Sequence, residues 1–425
     1  MLKTYKQPIG KGMKLKKFAF TLLTFCLAFA SGTKTVEAAT LTVVASDLDN
    51  PRGLNFGPDG ALYVTESGRG GNGACIPSPS VQFANLCYGP TGAVTRIQNG
   101  IQERVLTGLP SVALPDGSQA NGPQDIAFDS TGRPYLITGF AGDPARRDTV
   151  INVPDFGRLS IPNFQTNSFA NIADLAAFEL LNNPDQDDVI TNIYGLLIQG
   201  DTAFIADSGA NTVLRVGLDG SNLGLQNAFG RRVTNNAIFP GSTEPSTISI
   251  QSVSTGVATG PDGALYVSEL TGFPYPEGEA RIYRIGSDNQ PTIYADGFTS
   301  LTDLAFDTQG NLFALEYAKS PYTGNPDATV IRVAPDGTRT IIASGNELSY
   351  ATAMTLGSDN AIYVSTNGGT AGAGQVIRID QTTESVPEPS SALGVLAFGA
   401  LGVGALQKCK RKQLADKVTT SQKPC

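Results

Sequence analysis

The chain has 425 residues, with 48 Gly, 26 Pro, 16% charged side chains, no Trp and no His. The missing imidazole excludes a Ser-His-Asp triad and any His-bound metal, and so much Gly and Pro with so little charge points to many short strands rather than helices. The total charge of −8 hides an asymmetry: residues 1–39 carry +6, residues 40–386 carry −18 and the remainder +4. An acidic body repels a phosphate backbone, so no nucleic-acid partner is expected.

In chain order, Lys14, Lys16 and Lys17 precede the apolar run FAFTLLTFCLAFA, and Val36-Glu37-Ala38 follows as a small-residue cleavage site. Basic, apolar, small is the order of a signal peptide, predicted over residues 1–38. The body, residues 40–385, opens with Leu41-Thr42-Val43-Val44-Ala45, a strand with no partner in its own unit. Six repeats follow. Their first strands align as PRGLNF (51–56), PQDIAF (123–128), IYGLLI (193–198), STGVAT (254–259), LTDLAF (301–306) and ATAMTL (351–356). Their second strands align as ALYVTE (61–66), RPYLIT (133–138), TAFIAD (202–207), ALYVSE (264–269), NLFALE (311–316) and AIYVST (361–366). Turns such as Pro58-Asp59-Gly60 join each pair, Pro fixing φ and Gly taking the left-handed position.

Third strands follow as VTRI (94–97), GRLSI (157–161), VLRV (213–216), IYRI (282–285), VIRV (330–333) and VIRI (376–379), each carrying an Arg. Fourth strands follow in the first five units, most clearly RVLTG (104–108) and TIIAS (340–344), whereas the sixth unit stops at Asp380. The orphan opening strand supplies its missing fourth member. The predicted fold is therefore all-β, a six-bladed β-propeller closed by an N-terminal strand. Long loops after the second strands, at 67–92, 139–156, 270–279 and 317–327, gather on one face, the expected binding surface. A short helix is predicted within Ile172–Asn182.

Cys75 and Cys87 are the two cysteines of the body, in a Gly/Pro/Ser-rich loop, and a disulfide is expected in an oxidising compartment. After the body come Pro387-Glu388-Pro389, an uncharged run to Gln407 and the basic cluster Lys408–Lys412. Residues 386–412 resemble a PEP-CTERM sorting signal with its transmembrane helix, which implies an exosortase-type processing enzyme as partner, membrane attachment through the C-terminal helix and an exported location in the periplasm, outer envelope or extracellular matrix. Residues 413–425 then form a cytoplasmic tail, a departure from the usual pattern.

The body resembles the cyanobacterial ScyD/ScyE-type proteins across about residues 45–380. The resemblance is carried by GPDGALYVTESGRGGNGACIPSPS with CYGPTGAVTRI, by ADLAAFE followed by NNPD, by TGVATGPDGALYVSELTGFPYPEG and by GFTSLTDLAFD. It implies an NHL-like propeller in the cell envelope that binds a ligand or partner, an aromatic small molecule, in support of scytonemin-type extracellular pigment production. It implies no defined reaction.

Candidate chemistry falls to carboxylates. The third column of the first strands reads Gly53, Asp125, Gly195, Gly256, Asp303 and Ala353, so two acids face each other across the axis from blades three apart. The last column of the second strands reads Glu66, Thr138, Asp207, Glu269, Glu316 and Thr366. One reading has Ca²⁺ bridging Asp125 and Asp303, with Glu269 or Glu316 in its shell, as divalent ions are held in six-bladed lactonases. That keeps a metal-dependent lactonase-like hydrolase, or a carboxylate acid-base enzyme, as the alternative function. The other reading has these acids paired locally with Arg or backbone N–H groups.

Overall fold

The computed structural model describes residues 39–81, 84–320 and 324–381. The predicted signal peptide, the Pro387-Glu388-Pro389 segment and the tail lie outside these residues. Among the described residues no helix is long and apolar enough to cross a membrane.

Six antiparallel sheets form the blades of a propeller. Their inner strands are Pro51–Phe56, Pro123–Phe128, Ile193–Gln199, Ser254–Thr259, Leu301–Phe306 and Ala353–Leu356. The second strands, from Leu62–Glu66 to Ile362–Thr366, begin within one residue of the predicted positions. Each inner strand packs against the inner strands on both sides, and the sixth returns to the first. Ala39–Asp49 pairs with Ala371–Gln381, setting Leu41 opposite Ile379 and Val43 opposite Ile377. The chain start thus supplies the outer strand of blade 6 and closes the ring.

The core lies between blades. Each sheet buries both faces, so its second strand is buried without alternation, as in Leu62–Glu66. Six apolar clusters fill the six blade interfaces; Tyr63 and Val94 of blade 1 meet Ile126 and Leu136 of blade 2, for instance. A further cluster of Ile76, Leu86, Val112, Phe140 and Phe156 sits above blades 1 and 2.

That last cluster corrects the expected loop at 67–92. Cys75–Pro77 is a strand, and the third strand of blade 1 already begins at Asn85, running to Gln98 against Ile101–Ala113. Cys75 stands directly opposite Cys87, and the two are joined by a disulfide. The expected helix is Leu175–Asn182, N-capped by the Asp174 carboxylate, which accepts from Ala177 N at 2.9 Å. A hairpin inserted between blades 3 and 4, Arg232–Ala237 with Ser246–Ile250, had no sequence expectation, nor had the short helical turns at Pro144–Arg146, Arg147–Ile151 and Asn346–Leu348.

Candidate functional site at the mouth of the axial channel

The inner strands are not regular where they approach the axis. Five of them change register within their first four residues, at Pro51/Leu54, Pro123/Asp125, Ile193/Gly195, Ser254/Val257 and Leu301/Asp303. Such bulges re-aim side chains, so the second and third columns both escape simple alternation. In the third column, Asp125 Oδ1 accepts from its neighbour Ile126 N and Oδ2 from Leu196 N in the next blade, both at 2.8 Å. Asp303 repeats this with Leu304 N and Met354 N, again at 2.8 Å. Gly is required beside each: a Cβ on Gly53 would lie 2.0 Å from Asp125 Oδ1, and one on Gly256 would lie 2.7 Å from Asp303 Oδ1. The axial acids are therefore blade-to-blade clasps arranged with pseudo-twofold symmetry.

Both carboxyls keep some surface open to the narrow channel yet have protein on every side. Burial, helped by the charge of Asp303, pushes Asp125 well above the usual range. Burial raises Asp303 to about 7 against its two N–H donors. Glu269 and Glu316 do not join them. Arg232 of the inserted hairpin donates to Glu269 Oε2 at 3.0 Å and Ser252 Oγ does so at 2.8 Å, while Thr299 N donates to Glu316 Oε1 at 2.8 Å. Burial still raises both. Glu66 receives Arg104 at 2.9 and 2.6 Å, and Asp207 receives Thr191, Asn192, Gly209 and Ala210. Among the described residues no three Asp, Glu or Cys side chains converge where a metal could be held. Of the expected set, Asp125 and Asp303 are held by backbone N–H groups of their own and the next blade, whereas Glu269 and Glu316 are held apart from them by Arg232 and Ser252 and by Thr299 N.

The second column carries what the third does not. It reads Arg52, Gln124, Tyr194, Thr255, Thr302 and Thr352. The three Thr hydroxyls tie blades together, donating to Leu301 O, Ala351 O and Pro51 O at 2.8–3.0 Å. In blades 1 and 3 a Ser after the second strand makes the equivalent tie, Ser67 donating to Pro123 O at 2.9 Å and Ser208 to Ser254 O at 2.5 Å. Arg52 and Tyr194 are released to face the channel. Tyr194 reaches from blade 3 to blade 6, its hydroxyl donating to Thr352 O at 2.9 Å. Arg52 donates to Ala120 O at 2.8 Å and forms no ion pair among the described residues, although the body is acidic.

Aromatic rings continue this lining on the long-loop face. The Tyr317 and Tyr350 centroids are 5.4 Å apart. Phe273 packs edge-on against Phe239 of the inserted hairpin at 5.6 Å and Tyr275 at 6.2 Å. Burial pushes the Tyr317 hydroxyl up to about 12, Arg52 opposing and Tyr350 and Tyr275 adding to it, so these groups share one neighbourhood. The arc runs from the LTGFPYPEG motif, the most distinctive part of the sequence, to blade 6. Phe273 is 45% exposed at its outer end. Chemically, the mouth offers ring faces, phenol hydroxyls and one uncompensated guanidinium. Sequence reasoning stopped at the acids; the signal for Arg52 and Tyr194 was the second column, whose Thr pattern they break. A separate polar groove of about 860 Å³ opens on the opposite face between blades 2 and 3, beside Arg133, Phe204 and Arg215, and contains none of the expected site residues.

No family model and no curated protein matches the chain. Solved structures do. A streptogramin B lyase is 11% identical, over 82% of this chain and 100% of its own, with a TM-score of 0.45. A gluconolactonase from Xanthomonas campestris is 11% identical over 81% and 91%, at 0.46. A PQQ-bound aldose sugar dehydrogenase from Streptomyces coelicolor is 13% identical over 81% and 98%, at 0.44. At such identities these likenesses concern the fold and transfer no residue role to this chain.

Proposed function

We propose that this protein is an exported, envelope-associated propeller that binds an acidic aromatic small molecule at the channel mouth, in support of scytonemin-type extracellular pigment production. The observation that carries the binding role is Arg52, held by neutral acceptors among Tyr194, Tyr317 and Tyr350. A planar ligand with a carboxylate or phenolate would stack on the rings and place its charge on the guanidinium. The sequence resemblance supplies the pigment context, and the order of the terminal segments supplies export. A hydrolase or carboxylate acid-base enzyme is the second reading, favoured by Asp303, whose carboxyl at about 7 exchanges protons near neutrality within the same channel.

A deletion strain separates the readings. Binding predicts unchanged precursor chemistry with misplaced or reduced pigment outside the cell, and the deficit should persist with Arg52→Ala. An accumulated intermediate, with turnover restored by the wild type and lost with Asp303→Asn, would establish the enzyme instead.

A further inference from the structure

At the boundary of blades 2 and 3, Glu179 and Asp207 have no Arg or Lys partner among the described residues. Helix Leu175–Asn182 buries Leu175, Ala176 and Glu179, the last lying one turn beyond the first two on the same face. Leu175 packs with Ile193, Ile205 and Leu214, which directs that face onto blade 3. Glu179 is 1% exposed, and its Oε1 has no hydrogen-bond partner. The chain then turns back through Asn183-Pro184-Asp185-Gln186-Asp187. Asn183 N donates to Glu179 O at 2.9 Å, and Asn211 Nδ2 donates to Asp185 Oδ2 at 2.7 Å. The segment ends where Thr191 Oγ1 and Asn192 N donate to Asp207.

Around this loop the Oδ1 atoms of Asn183 and Asn192 and the Thr212 Oγ1 are also buried without partners. Thr212 is the cross-strand neighbour of Asp207, whose Oδ2 has a single donor. Arg231, in reach of this loop, is bound to Asp187. Asp207 and Asp185 add to burial in pushing Glu179 up to about 8, and no basic group opposes them. Water would satisfy an orphaned oxygen, but two buried carboxylates need a cation, or a proton on one of them, for compensation.

We propose that Glu179, Asp207 and the side-chain oxygens of Asn183, Asn192 and Thr212 form a divalent-cation site, with Ca²⁺ as its first choice. An all-oxygen set with two carboxylates and neutral amide donors is the chemistry Ca²⁺ accepts, and its loose geometry suits a loop-built site. The ion would pin the helix and the 183–192 loop to blade 3. This site is distinct from the axial acids and does not depend on the ligand proposed for the mouth.

The test uses the full chain purified without chelator. Elemental analysis should find one Ca²⁺ per chain. Adding Ca²⁺ to chelator-treated protein, at a hundredfold excess over its Kd, should raise Tm by about 4 °C. Glu179→Gln should lose both effects, and Asp303→Asn should keep both. The proposal is overturned if wild-type protein holds no divalent ion and ignores Ca²⁺ and Mg²⁺. It is equally overturned if Glu179→Gln retains the ion, or if Asp303→Asn loses it. Should Glu179→Gln fail to fold, the wild-type response and the Asp303→Asn arm still decide.

Discussion

At the scale of single residues, the channel shows how one column can be structural while its neighbour lines the site proposed for a ligand. Asp125 and Asp303 were legible as unusual because four other repeats have Gly or Ala in that column. Their use was not legible, because the bulge that lets each reach the N–H of the next blade leaves no mark on the pattern. Arg52 and Tyr194 do mark the sequence, as breaks in the Thr pattern of the second column, but that break alone does not say that they face the channel. For Asp303 a pH dependence follows. Its folded pKa of about 7 lies above the ordinary 3.8, so between those values the folded state holds a proton that the unfolded chain releases. Its contribution to stability is full below about pH 4 and is lost as pH rises through 7. Asp303→Asn should remove that slope. It should also cost about 1–2 kcal/mol at pH 4.5, because one amide oxygen cannot accept from both Leu304 N and Met354 N. Urea unfolding at pH 4.5 and pH 8 checks this, with the gap between variant and wild type narrowing at the higher pH.

At the scale of elements, the strands were readable wherever apolar runs and turn chemistry agreed, as in GPDGALYV and its five counterparts. The inserted hairpin was not. Arg232-Val233-Thr234-Asn235-Asn236-Ala237 is mostly polar, with Val233 exposed and Thr234 buried against the usual pattern, and is held by Arg232 on Glu269 and by Thr234 and Asn236 on Glu279 at 2.8 and 2.9 Å. The extension of blade 1 looks like loop in the sequence because Gly and Pro interrupt it, although its two cysteines mark the disulfide across it. That bridge closes a short segment, so Cys75→Ser with Cys87→Ser should cost on the order of 3 kcal/mol in the extension. Proteolysis should then cut within residues 67–92 while the blades stay protected. Cleavage at the same rate in the wild type would contradict a stapling role.

At the scale of the whole molecule, the ring depends on Ala39–Asp49 lying beside Ala371–Gln381, which the sequence revealed by leaving one strand too many at the start and one too few at the end. Without it the apolar third strand of blade 6 becomes an open edge. A chain beginning at Asn50 should therefore aggregate or elute as oligomers in gel filtration, where one beginning at Ala39 stays monodisperse. Closure also shapes the proposed binding site, because it holds Thr352 of blade 6 within reach of Tyr194, near Arg52 and Tyr317. The most direct measurement is native mass spectrometry of the protein incubated with an envelope extract of its own cell. The expected result is a one-to-one adduct with near-ultraviolet absorbance that is lost in Arg52→Ala and Tyr317→Ala variants, both still folded by circular dichroism. An adduct retained by both variants, or no adduct on the wild-type protein, would contradict a binding site at the channel mouth.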